Sequence, residues 1–118
     1  MTVTPEPATV PGIDPAEALR LVDAGAFLLD VREDDEWEAG HAPQAVHVAM
    51  AQVPDRVGEL PTDTTVVCVC RVGGRSGAVA EALLGAGYDV RNLDGGMLAW
   101  EQEGLAVVGP DGGVGRVI

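Results

Sequence analysis

Residues 65–70 read TVVCVC, a run with no charged side chain and no alternation of apolar with polar positions. A strand with one wet face alternates with period two. A run that is apolar at every position is buried on both faces, as in a parallel sheet covered by helices on either side. Residues 26–31, AFLLDV, are likewise without alternation, and AVHV (45–48) and DVRNL (89–93) read as shorter strands. The intervening segments read as helices. Asp14 is placed to cap a helix that has Pro15 at its first position, Glu17 three residues after the cap, an apolar face of Leu19, Leu21 and Val22, and a stop at Gly25. EDDEWEAGH (33–41) predicts a short acidic helix ended by Gly40, and another helix falls within 52–60 before a turn at 61–63. SGAVAEALLGAG (76–87) predicts a helix closed by Gly87, and MLAWEQE (97–103) a final one. Strand and helix alternate throughout, which defines a parallel α/β sheet with helices on both faces.

The pattern divides the chain into an extended, proline-bearing lead-in (1–11), one domain (12–108) and a glycine-rich tail, GPDGGVGRVI (109–118), expected to pack loosely or against a partner. One domain of this size hides roughly two thirds of the surface its unfolded chain exposes. Nineteen acidic residues against seven basic ones, all arginine, give a net charge of −12. That balance excludes a nucleic-acid ligand and an anionic membrane surface, both of which need cations. No apolar run approaches the roughly 20 residues that span a bilayer. The start carries neither the basic nor the apolar region of a secretory signal, and the two cysteines, two positions apart, cannot found a disulfide framework. The expected location is the cytoplasm. The apolar ending leaves monomer and homodimer both open.

Cys70 closes the most apolar strand, and RVGGRS follows it directly into a helix. In open parallel sheets, ligands bind beyond the carboxyl ends of strands. The loop from Arg71 through Val72, Gly73, Gly74 and Arg75 can curl so that successive N–H groups point inward and hold an anion, with both glycines supplying positive φ. The helix that follows adds its positive end, and Arg71 and Arg75 add positive potential. Such an environment turns a thiol into a thiolate nucleophile aimed at an anionic substrate. The plainer reading is a buried cysteine followed by an ordinary glycine-rich turn; two glycines, two arginines and an immediate helix weigh against it. No Walker lysine is present.

With Cys70-x-x-Gly73-x-Arg75-Ser76 in view, the chain resembles the rhodanese family of sulfurtransferases in its single-domain form. Asp30, Arg32, Glu36, Trp37, Gly40, His41 and Pro43 fit a second family segment in order, and Gly95, Gly96 and Trp100 a third. The resemblance covers about residues 12–108. It implies a rhodanese-like three-layer fold whose five-stranded parallel sheet has the order 1-5-4-2-3. It also implies a reaction without cofactor or metal: Cys70 takes sulfur from a small anionic donor such as thiosulfate and passes it to a thiol or cyanide, or to a protein thiol. Val72 departs from the lysine that thiosulfate-specific two-domain members carry, and Ala42 and Gln44 depart from the family's Gly-His-Ile-Pro-Gly.

Asp30, Arg32 and Glu36 read as an ion-pair cluster beside the site, with Ser76 as a structural neighbour, although Asp30 stands where it could reach the pocket rim. The Arg75 side chain is expected to turn back to Glu36 or Asp30, leaving its backbone to the cradle. Cys68 reads as an inert core residue, His41 as a hydrogen-bonded turn residue, and His47 as an ordinary strand position. Trp37 and Trp100 read as packing anchors. His41 and His47 share no metal-binding spacing with the cysteines. Two rival functions stand beside sulfur transfer. One is a non-enzymatic persulfide carrier or interaction module. The other is a Cys-x5-Arg phosphatase, disfavoured because Arg75 lies five rather than six positions after Cys70, which makes a smaller cradle.

Overall fold

The doubly apolar run around Val66 becomes a central strand. The computed structural model, which describes residues 9–118, has one parallel sheet of β1 (Gly12–Ile13), β2 (Phe27–Asp30), β3 (Ala45–His47), β4 (Val66–Val69) and β5 (Val90–Leu93), in the order β1-β5-β4-β2-β3. The helices are α1 (Pro15–Asp23), α2 (Asp34–Ala39), α3 (Val53–Arg56), α4 (Gly74–Gly85) and α5 (Gly96–Gln102), with single 3-10 turns on both sides of α3.

The side chains of β4 explain its pattern. Val66 and Cys68 enter one core with Val53 of α3 and Val79, Ala80 and Leu83 of α4. Val67 and Val69 enter the other with Ala18 of α1 and Met97 and Trp100 of α5. All four β4 residues are fully buried, each contributing on the order of 1.5–3 kcal/mol of hydrophobic stabilisation for a valine-sized side chain. The strand order leaves the carboxyl ends of β4 and β5 side by side, where α4 and α5 begin.

Four strands were legible from residue patterns, and the resemblance implied a fifth. That fifth strand is Gly12–Ile13, two residues paired with Asn92 and Leu93 of β5. It is too short to show a period, and glycine is its first residue. Pro11, assigned to the lead-in, already accepts a hydrogen bond from the Asn92 amide at 3.0 Å. Residues 1–8 of the lead-in lie outside the described residues. The helix read from Ser76 begins at Gly74, and its final turn ends at Gly85, before Gly87 with φ +94°. The tail does not pack loosely. Val108 bridges antiparallel to His41 and to Val114, the Gly115 amide donates to Val107 at 2.9 Å, and the Arg116 amide donates to Ala39 at 3.0 Å. Gly40 makes room for it, since a Cβ there would stand 2.5 Å from Arg116 backbone atoms.

Candidate active site

Cys70 follows β4 directly, and its side chain is 1% exposed. The loop after it curls because its carbonyls are drawn outward. The first amides of α5 take two of them, Met97 donating to the Cys70 carbonyl at 2.8 Å and Leu98 to that of Arg71 at 3.1 Å. The Gly73 carbonyl accepts from the Gly77 amide at 3.0 Å and from Asn92 Nδ2 at 3.1 Å. With the carbonyls engaged there, amides face the sulfur. The Gly73 N–H donates to Sγ at 3.1 Å, and Ser76 Oγ lies 3.3 Å from it. Burial alone pushes the Cys70 thiol up. The Ser76 hydroxyl and the amides of Ser76, Gly73 and Val72 more than offset this, and its pKa falls below the ordinary thiol value.

Gly73 adopts φ +113°, which side-chain-bearing residues rarely reach. Gly74 does not share that role. It is the first residue of α4, without positive φ, and a Cβ there would meet open space. Val72 stands 55% exposed at the rim, and Arg71 is exposed with its Nε donating to the Ile118 carbonyl at 3.0 Å.

Arg75 does not aim its charge at the sulfur. Its guanidinium makes a bidentate pair with Glu36, Nη1 to Oε1 at 2.7 Å and Nη2 to Oε2 at 2.8 Å, so the positive potential expected from it is matched by a carboxylate. The Cys70 sulfur therefore rests on amides and a hydroxyl at the start of α4. The Arg75 pair, with a further bond from the Glu33 amide, holds the Glu36 carboxyl down at about 2 despite the desolvation that opposes it. The stability this contributes is full above the ordinary carboxylate value of 4.5 and is lost as pH falls through about 2. In acid unfolding titrations, Glu36→Gln is expected to flatten the fall in stability across that window. A slope equal to that of the parent protein would contradict the assignment.

Asp30 and Arg32 are both 0% exposed and stand away from the rim. Arg32 donates to both Asp30 oxygens, at 2.8 to 3.1 Å, and its other N–H groups reach the carbonyls of Gly40 at 2.8 Å and Glu36 at 3.3 Å. The pair ties the end of β2 to the end of α2, and α2 in turn presents Glu36 to Arg75. Asp30 thus has no place at the pocket rim.

Cys68 is fully buried in β4, and desolvation, with the neighbouring Cys70 charge, pushes its thiol up to about 12, as befits an inert core residue. His41 Nδ1 bonds the Trp37 carbonyl at 2.8 Å, as a turn residue should. His47 is more than an ordinary strand position. Its Nε2 bonds the Arg32 carbonyl at 2.6 Å, and both histidine rings stack on Trp37, at centroid distances of 3.5 and 4.9 Å. Trp100 is buried in the second core, its indole N–H on the Ala106 carbonyl at 2.9 Å.

Asn92 was missed by sequence reasoning. It is the penultimate residue of β5, beside the cysteine loop, holding the Gly73 carbonyl and accepting from Ser76 Oγ at 2.6 Å. An uncharged polar residue between Val90 and Leu93, at the carboxyl end of a strand, is the signal that could have found it.

Fold and site together define an α/β domain with one activated cysteine in a cradle of backbone amides. The chain belongs to the rhodanese-like domain family, whose model matches residues 14–103. It is 40% identical over 95 residues to a sulfurtransferase of Allochromatium vinosum, covering 79% of this chain and 89% of that protein. It is 37% identical over 89 residues to the thiosulfate sulfurtransferase GlpE of Pseudomonas syringae pv. syringae, covering 75% and 84%. Among solved structures, a rhodanese-related protein from Thermoplasma volcanium superposes with a TM-score of 0.78 at 28% identity, over 83% of this chain and 97% of that one. No helix among the described residues is long and apolar enough to cross a membrane.

Proposed function

We propose that this protein is a sulfurtransferase that carries sulfane sulfur as a persulfide on Cys70. The observation that carries the reading is the inward-facing set of donors at Sγ: the Gly73 amide at 3.1 Å and the Ser76 hydroxyl at 3.3 Å, on a thiol held below its usual pKa. The names of the two relatives above point the same way.

In the first step the Cys70 thiolate attacks the outer sulfur of an anionic donor of the thiosulfate kind. An S–S bond forms at Sγ as the donor's own S–S bond breaks, and sulfite leaves with the electron pair. In the second step a nucleophilic acceptor, a thiol or cyanide, attacks the outer sulfur, and the Sγ thiolate departs. The amides that stabilise the attacking thiolate also stabilise it as a leaving group, so neither step needs a general base or a metal. Arg71, exposed at the rim and, among the described residues, bonded through Nε alone, keeps N–H groups for the donor anion. A persistent free thiolate belongs in a reducing compartment, the cytoplasm.

Phosphoryl transfer is disfavoured by the Arg75–Glu36 pair, which leaves no loop-closing arginine for a phosphoryl group. After treatment with thiosulfate or mercaptopyruvate, the intact protein is expected to gain one sulfur, about 32 Da, and Cys70→Ser to gain none. A parent protein that acquires that mass from neither donor would shift the reading to a carrier loaded by another protein. Cys70-dependent hydrolysis of an aryl phosphate would overturn it.

A further inference from the structure

We propose that Asn92 is a positioning residue that acts on Cys70 through Ser76, holding the single Ser76 hydroxyl proton while the sulfur is uncharged and releasing it when the thiolate forms. The inference rests on Cys70 being the nucleophile of the preceding section.

The orientation of the Asn92 amide follows from its neighbours. The Gly73 carbonyl can only accept, so the Asn92 group 3.1 Å from it is the NH2. The oxygen Oδ1 then faces Ser76 Oγ at 2.6 Å, and because Oδ1 can only accept, the hydroxyl is the donor. Ser76 has one proton and three acceptors around it: Asn92 Oδ1 at 2.6 Å, Cys70 Sγ at 3.3 Å and the Gly73 carbonyl at 3.3 Å. While Sγ carries a proton or an outer sulfur, the short bond to Asn92 wins. A thiolate changes the ranking, since a hydrogen bond to an ionised acceptor is roughly twice as strong as a neutral one. The hydroxyl then rotates to the sulfur. No bond is made or broken in that rotation, and Ser76 keeps its proton. Its use comes in the second step of transfer, when charge returns to Sγ as the acceptor takes the outer sulfur. Asn92 also holds the carbonyl of Gly73, the residue whose own amide faces Sγ.

The test reads the rate of Cys70 alkylation by iodoacetamide against pH, on the full chain, so it does not depend on any sulfur donor. The charged and titratable groups packed around the cluster are Arg71, Arg75 with its partner Glu36 from α2, Cys68 of β4, and Asp94 just beyond β5, whose Oδ1 lies 3.4 Å from Asn92 Nδ2. Asn92→Asp keeps the shape, exchanges the NH2 for an acceptor and binds the Ser76 proton permanently. It is expected to raise the midpoint by about 1 pH unit or more, whereas Ser76→Ala alone raises it by about 1 unit. In the double variant the Asn92→Asp shift is expected to shrink to less than about half, because the hydroxyl it acts through is gone. An undiminished shift in that background marks a plain charge effect and overturns the proposal. So does a Ser76→Ala midpoint equal to that of the parent protein, a result available even if the aspartate variants fail to fold. Failure of the persulfide experiment with these shifts intact would remove the sulfur chemistry and leave the positioning role standing.

Discussion

Gly96→Ala is expected to lower the sulfur-transfer rate by about 100-fold and to destabilise the domain by about 2–4 kcal/mol, although residue 96 contributes no side chain to the site. Gly96 has φ +59°, and a Cβ built on it would stand 2.4 Å from the carbonyl oxygens of both Cys70 and Arg71. Adopting the left-handed region costs an alanine on the order of 1–2 kcal/mol. The clash adds to this, because the obstructing atoms are backbone and cannot swing aside. Relief requires the cysteine loop to move away from α5 by about 1 Å, a displacement large enough to affect catalysis on that scale. The bonds from Met97 and Leu98 that draw those carbonyls outward lengthen with it, and the amides lose their aim at Sγ. Gly74→Ala is the control. That position is helical with open space at Cβ, and alanine there is expected to leave the rate unchanged while adding about 0.5–1 kcal/mol of stability. Thermal unfolding and steady-state kinetics on the two variants check both halves. Equal rates in Gly96→Ala and the parent protein would show that the loop is not braced by α5.

The contrast between these glycines also marks where sequence reading stops. The Cys70 loop was legible because it concentrates a thiol, glycines and cations at the end of a strand apolar on both faces. Which glycine carries the positive φ was not, because that depends on where α4 begins, and the helix start is fixed by a long-range bond as well as its own first turn: Asn92 Nδ2 holds the Gly73 carbonyl at 3.1 Å. Gly96 read only as part of a Gly-Gly pair before a helix; its contact with Arg71 joins residues distant in sequence. The same holds for Asn92, whose partners Gly73 and Ser76 meet it only once β5 lies beside β4. The Arg75 side chain was expected to turn back to Glu36 or Asp30; that the partner is Glu36, and that the pair neutralises a cation beside the Cys70 sulfur, needed the geometry. The tail misled because glycine-rich composition signals freedom in the unfolded chain. Here it provides the close approach that lets Gly115 and Gly109 pack backbone to backbone, a Cβ on Gly109 falling 3.2 Å from the Gly115 Cα.

Asp30→Asn is expected to cost about 3–5 kcal/mol, a large part of the 5–15 kcal/mol typical of a whole domain, while leaving the chemistry at Cys70 nearly intact in the molecules that remain folded. The substitution preserves size and shape. What it removes is the only negative charge bonded to Arg32 among the described residues, and Arg32 is itself 0% exposed. An isolated buried guanidinium either draws solvent in or swings out, and swinging out takes the Arg32 donors from the Gly40 and Glu36 carbonyls. α2 would then be loosened at its carboxyl end. Glu36 sits on that helix, so the Arg75 pair weakens too, but the sulfur's own donors belong to the loop and α4 and stay in place. A double variant, Asp30→Asn with Arg32→Met, is expected to recover part of the loss, since no charge remains unpaired. It cannot recover all of it, because the Gly40 carbonyl stays buried without a partner, at about 1–3 kcal/mol. Urea unfolding at neutral pH measures the stabilities, and alkylation of Cys70 at low temperature measures the chemistry. A single variant that loses less than about 1 kcal/mol would mean that the buried pair is not what fastens α2 to the sheet.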